Sequence, residues 1–158
     1  MMNKTVQKAL SVLPSLEYRD GSAASIMKYY KPLYKEWNGD FLLLRETDNI
    51  RTKQITADGG KIFILPQKNK YSHAIAKAIA SIIKNGKYLV VHINLPGHIA
   101  YRALLEAKKR HVPVRIFHCH NPKNDLNLKT KISTRIYDTL CLRYANKLLA
   151  CSESAGIS

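Results

Sequence analysis

Acidic residues are scarce in this chain. Eleven Asp and Glu stand against 26 Lys and Arg, which gives a formal charge of +15 over 158 residues. Such a field favours anionic partners: nucleic acid, an anionic membrane surface or phosphorylated small molecules. An arginine-rich tail and a basic block interleaved with aromatics are both missing, which counts against nucleic acid. Apart from Lys108-Lys109-Arg110, the cations are spread along the chain. Cysteine is also sparse. Cys119, Cys141 and Cys151 form neither a paired framework nor a CxxC spacing, so a reducing cytoplasm is the simpler reading. Long apolar runs are absent as well, and none approaches the roughly 20 residues that span a bilayer. The apolar stretch before Leu16 is broken by Pro14, too early for a convincing signal peptide. The expectation is a cytoplasmic protein, soluble or peripheral at the inner membrane face. There is no internal repeat, no low-complexity segment and no GxGxxG fingerprint, and the last absence argues against a self-contained nucleotide-dependent enzyme.

What is present is an alternation of strands and helices. Ala9-Leu10-Ser11-Val12-Leu13 reads as a first strand, followed by a helical face of Ile26, Tyr30, Leu33 and Tyr34. Pro32 is expected to end or kink that helix. Asn38-Gly39 reads as a turn and Asp40 to Leu44 as the second strand. A short helix over Arg51–Ala57 stops at Asp58-Gly59-Gly60, and Lys61 to Leu65 forms the third strand. Ile75, Ile79, Ile82 and Ile83 trace the next helix, with Asn85-Gly86 as its stop signal. Ala100, Ala103, Leu104 and Ala107 line another, and cations in its last turn suit the helix dipole. Ile132, Ile136 and Leu140 mark the last. The strands are continuous apolar runs, as in strands covered on both faces. The fold class is therefore α/β: a doubly wound, Rossmann-like parallel sheet with helices on both faces, in one domain over 1–158.

Polar residues gather where strands run out. Tyr88 to Val91 leads into His92-Ile93-Asn94, Val112 to Phe117 into His118-Cys119-His120-Asn121, and Lys147 to Ala150 into Cys151-Ser152-Glu153-Ser154. In a parallel sheet the carboxyl ends share one edge, with ligands bound in the crevice outside it, so the three clusters suggest one site. His118 and His120 point to the same face if their strand continues. Two histidines are half a metal site at most, and no further ligands stand at standard spacing, Asp125 lying in a loop of unknown path. A His near its reference pKa can instead serve acid–base or hydrogen-bonding work. The plainer alternative is a set of satisfied polar residues at strand ends, with Ser152-Glu153-Ser154 capping a helix. Asp20-Gly21-Ser22-Ala23 lies where such folds set phosphates or sugars against backbone amides.

Together these segments resemble the amino-terminal domain of bacterial family 4 glycosyltransferases, enzymes of the two-domain GT-B architecture. Asp20-Gly21-Ser22-Ala23 stands in place of the family's Gly-Gly-Ala-Glu loop, and Met27-Lys28-Tyr29-Tyr30 follows it. Val90 to Asn94 resembles Val-Val-His-x-His. Val112 to Asn121 resembles Val-x-Val-x-Ile-x-His-Ser-His-Asn, with Cys119 in place of Ser. Ala150-Cys151-Ser152-Glu153-Ser154-Ala155-Gly156 resembles Ala-Cys-Ser-Glu-x-Ala-Gly. The last two are the most specific, and the resemblance runs from about Ala9 onward.

The resemblance implies transfer of a sugar from a nucleotide-sugar donor to a saccharide or lipid-linked acceptor in cell-surface (capsular or exopolysaccharide) synthesis. It implies that His118 is the active-site histidine and that Gly21 and Ser22 face the donor diphosphate. His92, Asn94, His120, Asn121, Ser152 and Glu153 would line the substrate cleft. No metal or other cofactor is implied, the nucleotide sugar being a co-substrate. Two departures stand out: Asp20 replaces a glycine, and Ala23 replaces the loop's Glu. The carboxy-terminal donor-binding domain is expected to be absent, since the sequence stops where it would begin. The chain alone is then expected to be inactive, whether as a fragment, as a truncated reading frame or as one half of a split enzyme completed by a donor-binding half on a separate polypeptide. The alternative reading is a non-catalytic anion- or nucleic-acid-binding module on the same fold.

Overall fold

The computed structural model describes residues 7–34, 37–66, 72–120 and 128–152. Strands and helices alternate: β1 (Gln7–Leu13), α1 (Gly21–Tyr34), β2 (Trp37–Leu43), α2 (Ile50–Ala57), β3 (Ile62–Ile64), α3 (His73–Gly86), β4 (Val90–Ile93), α4 (His98–Lys109), β5 (Val114–Cys119), α5 (Leu128–Tyr144) and β6 (Lys147–Ala150). The strands form one parallel sheet of order β3-β2-β1-β4-β5-β6, the Rossmann order. The chain lays β2 and β3 on one side of β1, then returns to place β4 on the other. The strand order reverses between β1 and β4, and the crevice beyond their carboxyl ends is the switch point.

Neighbouring residues of a strand face opposite sides of the sheet. Leu10, Val12, Leu42, Val91, Ile93 and Phe117 turn toward one side, where Ile75 and Ile79 of α3 and Ala100 and Leu104 of α4 cover them. Leu13, Phe41 and Leu43 turn toward the other, against Ala23 and Tyr30 of α1 and Ile55 of α2. Two covered faces explain why the strands are apolar throughout. Burying each Leu or Ile contributes on the order of 1.5–3 kcal/mol.

Several local expectations need correction. Asn38-Gly39 is not a turn but part of β2. A Cβ at Gly39 would lie 2.8 Å from the ring of Tyr30, and one on Gly60 would lie 2.4 Å from the Gly39 carbonyl oxygen. Close packing accounts for this glycine. Pro32 does not end α1, which runs on to Tyr34. So near the helix end, its missing amide costs one bond and leaves the rest intact. Gly86 is still helical, and the left-handed cap is Lys87 at φ 51° and ψ 47°. A side chain at Gly86 would meet the Tyr88 ring at 2.0 Å, so here too the glycine makes room for an aromatic.

That ring carries a buried polar link. The Tyr88 hydroxyl donates to Asp40 Oδ2 at 2.8 Å, and the Lys61 amide donates to Asp40 Oδ1 at 2.9 Å. Burial, with the Asp40 carboxylate second, pushes the Tyr88 hydroxyl pKa up, so it stays protonated and donating. The entries to β3 and β4 are thereby joined at one carboxylate within β2.

At the far edge, Ile132 and Ile136 of α5 are each 56% exposed, although their spacing marks the helix. Its inward face instead carries Cys141 and Asp138, with Tyr137 and Tyr144 beside Tyr101 of α4 at 6.0 and 5.8 Å between ring centres. Leu148 and Leu149 of β6 are exposed as well.

Candidate functional site

The carboxyl ends of β4 and β5 hold three histidines on one face of the sheet. Both strands run further than their apolar cores suggest, so His92 and His118 lie inside them rather than beyond. The parallel register sets His92 beside Ile116, which leaves the longer β5 to carry His118 past it. His92 Nε2 and His118 Nδ1 are 3.2 Å apart, and the rings are stacked within 4° of parallel at 5.4 Å between centres. His118 and His120, two residues apart, have ring centres separated by 4.0 Å. The amide of Asn94, a buried side chain, reaches the His92 carbonyl through Nδ2, so its Oδ1 accepts from His120 Nε2 at 3.0 Å. That contact assigns the proton of His120 to Nε2.

These imidazoles are neutral at physiological pH. Burial, followed by the charges of His118 and His120, pushes the pKa of His92 down to about 4. Burial and then His120 push His118 down to about 4. Burial also lowers His120, opposed by the nearby Asp20 carboxylate. The sequence reading of histidines near their reference pKa is therefore corrected: desolvation in a shared cluster disfavours the charged form. Neutral rings suit hydrogen bonding and polarisation better than proton uptake at pH 7.

Asp20, whose field reaches His120, caps α1 from the adjacent strand end. Its Oδ1 accepts from the amides of Ser22 at 3.0 Å and Ala23 at 3.2 Å, and from the Ser22 hydroxyl. Its Oδ2 accepts from the Ser15 hydroxyl at 3.1 Å. Burial raises the Asp20 pKa, but bonds from Ser22, Ala23 and Ser15 outweigh it, and the net shift is downward. The loop that carries Asp20 is itself held by α2. Asn49 Nδ2 and Arg51 Nη1 donate to the Leu16 carbonyl, and Arg51 Nη1 also reaches Glu17.

The β1–α1 connection and the carboxyl ends of β4 and β5 thus meet at one rim. Gly21 opens α1, and a side chain there would meet nothing within 4 Å. Ser22 is buried, with both its amide and hydroxyl turned to Asp20. Ser152 is exposed beyond β6, next to Cys151, whose thiol donates to the His120 carbonyl. Asn121, Asp125 and Glu153 lie outside the described residues. Sequence reasoning placed the histidines together but missed the cap. The signal was present, since an Asp directly before a helical segment is an N-cap pattern. The bond between Asn94 and His120 had no such signal. Among the described residues no group of three or more His, Cys, Asp or Glu is arranged to hold a metal ion. His92 and His118 point nitrogens at each other rather than around a common centre.

Comparison with known proteins places this geometry in context. No family model matches the chain. It is 30% identical over 161 aligned residues to the putative glycosyltransferase EpsF of Bacillus subtilis (strain 168), covering 98% of this chain and 41% of EpsF. The chain thus spans about two-fifths of the length of that relative. In fold it is similar to Anabaena Alr3699/HepE, whose crystal structure is a complex with UDP and glucose. That match has a TM-score of 0.69 at 14% identity and covers 96% of this chain and 40% of HepE. With the strand order and the rim already described, the chain has a Rossmann-like α/β fold and is similar over nearly its whole length to part of a putative glycosyltransferase.

Proposed function

We propose that this domain forms the acceptor-side wall of a glycosyltransferase cleft. The reaction is transfer of a sugar from a nucleotide-sugar donor to a saccharide or lipid-linked acceptor in cell-surface polysaccharide synthesis. The observation that carries this reading is the run of three neutral, mutually supported imidazoles beside the β1–β4 switch point. His118 has the role of holding and polarising the transferred sugar. His92 fixes its orientation from the neighbouring strand, and His120, held by Asn94, completes the wall. Gly21, Ser22 and Ser152 border the same rim, and Asn121 and Glu153 follow its strand ends in sequence.

Donor binding belongs, on this reading, to a second half on the same or a separate polypeptide. No metal or further cofactor enters the proposal. The described helices include none long and apolar enough to cross a membrane. The excess of Lys and Arg supports a peripheral position at an anionic cytoplasmic leaflet, where each nearby cation contributes about 1 kcal/mol.

The test is His118→Ala in the presence of a donor-binding half, with turnover and unfolding followed together. Turnover is expected to fall by roughly 10²-fold, as for loss of a positioned polar group in an active site. The unfolding midpoint is expected to move little, because the ring is half-buried at a strand end. A parallel fall in both would make the histidine structural and the assignment wrong.

A further inference from the structure

The first turn of a helix offers amides that commonly hold phosphate, because they lack partners and sit at the positive end of the helix dipole. In α1 two of these amides are already engaged. Those of Ser22 and Ala23 donate to Asp20 Oδ1, and the amide of Asp20 itself donates to the Glu17 carbonyl at 3.1 Å. The Ser22 hydroxyl is drawn to the same carboxylate, and the Ser15 hydroxyl holds its other oxygen. Asp20 cannot swing aside without breaking this set. Its loop is pinned by Asn49 and Arg51, which grip the Leu16 carbonyl, and by Thr47, whose Oγ1 accepts from the Leu16 amide. The neighbouring histidines add no compensating positive charge, since their rings are neutral at pH 7.

We infer that Asp20 is a specificity-determining residue of this rim: its carboxylate fills the anion position at the first turn of α1 and bars phosphate from it. In a molecule of charge +15 the rim is thus kept free of phosphate by one fixed anion. A diphosphate-bearing ligand must then place its phosphates elsewhere, and only its uncharged portion can approach α1. The place of this exclusion in sugar transfer rests on the function proposed above. The exclusion itself does not, and its test involves no transfer.

The experiment is a titration of the full 158-residue chain with sodium phosphate, against sodium chloride at matched ionic strength. It is followed by the backbone amide resonances of Ser22, Ala23 and Ala24. In the wild type these amides should show no saturable response to phosphate. Asp20→Asn keeps an acceptor on the cap but removes the charge, and Asp20→Gly removes both. Phosphate affinity at the first turn should rise by at least about tenfold in Asp20→Gly, with Asp20→Asn between it and wild type. Saturable binding by the wild type would overturn the inference, as would a folded Asp20→Gly with no gain. Should Asp20→Gly fail to fold, Asp20→Asn decides, and an affinity equal to wild type would refute the role of the charge.

Discussion

At the scale of single residues, the site depends on keeping charge off the imidazoles. His92 and His118 are both pushed down to about 4, His92 by burial and then by His118 and His120, His118 by burial and then by His120, and His120 is lowered too. The consequence for stability follows from linkage. In the unfolded chain these groups titrate near 6.5, so between pH 6.5 and 4 the unfolded state binds more protons than the folded one. Their stabilising contribution is complete above pH 6.5 and is lost as the pH falls through about 4. Asp20 acts below that window, because its depressed pKa contributes stability that disappears only as its carboxylate is protonated in the fold. Acid unfolding should therefore begin well above the carboxylate range. Nitrogen-15 NMR of the imidazoles provides the check: His92 and His118 should remain neutral until about pH 4. Midpoints near 6.5 would show isolated, solvated rings. The same spectra report the proton on His120 Nε2 that its bond to Asn94 requires.

At the scale of elements, the aromatic rings decide where glycines stand. Tyr88 leaves α3, fills the space a side chain on Gly86 would need, and donates to Asp40. Replacing Tyr88 with Phe keeps the ring and leaves Asp40 Oδ2 without that donor in a buried setting. The expected cost is about 1–3 kcal/mol, read as a lower urea midpoint with an unchanged slope. An unchanged midpoint would mean that water replaces the hydroxyl freely. This arrangement also shows where sequence reading stopped. Periodicity was enough to place helices around Ile75, Ile79 and Ile83 and around Ala100, Ala103 and Leu104, because those stripes meet the sheet. It failed for Gly39, whose purpose is contact with Tyr30 across elements, and local turn statistics carry no knowledge of that contact. It failed again for the orientation of α5. Ile132 and Ile136 have helical spacing, yet the face against α4 is chosen by Tyr101, Tyr137 and Tyr144.

At the scale of the whole molecule, the topology carries the functional argument. Continuous apolar strands separated by helices made the parallel sheet legible, and the two-residue spacing of His118 and His120 made their shared face legible. The contacts between His92 and His118 and between Asn94 and His120 were not, because they depend on the β4–β5 register, which no local pattern encodes. What the register produces is a neutral wall beside the switch point of a strongly basic domain that spans 41% of EpsF. The most direct trial of the account is reconstitution. This chain is mixed with the part of EpsF that it does not match, and transfer of label from a nucleotide sugar to a saccharide acceptor is measured for each part alone and for the pair. The account predicts transfer by the pair far above that of either part, abolished when the pair carries His118→Ala. A pair that binds but moves no sugar from any nucleotide sugar, or that works equally well without His118, would contradict it.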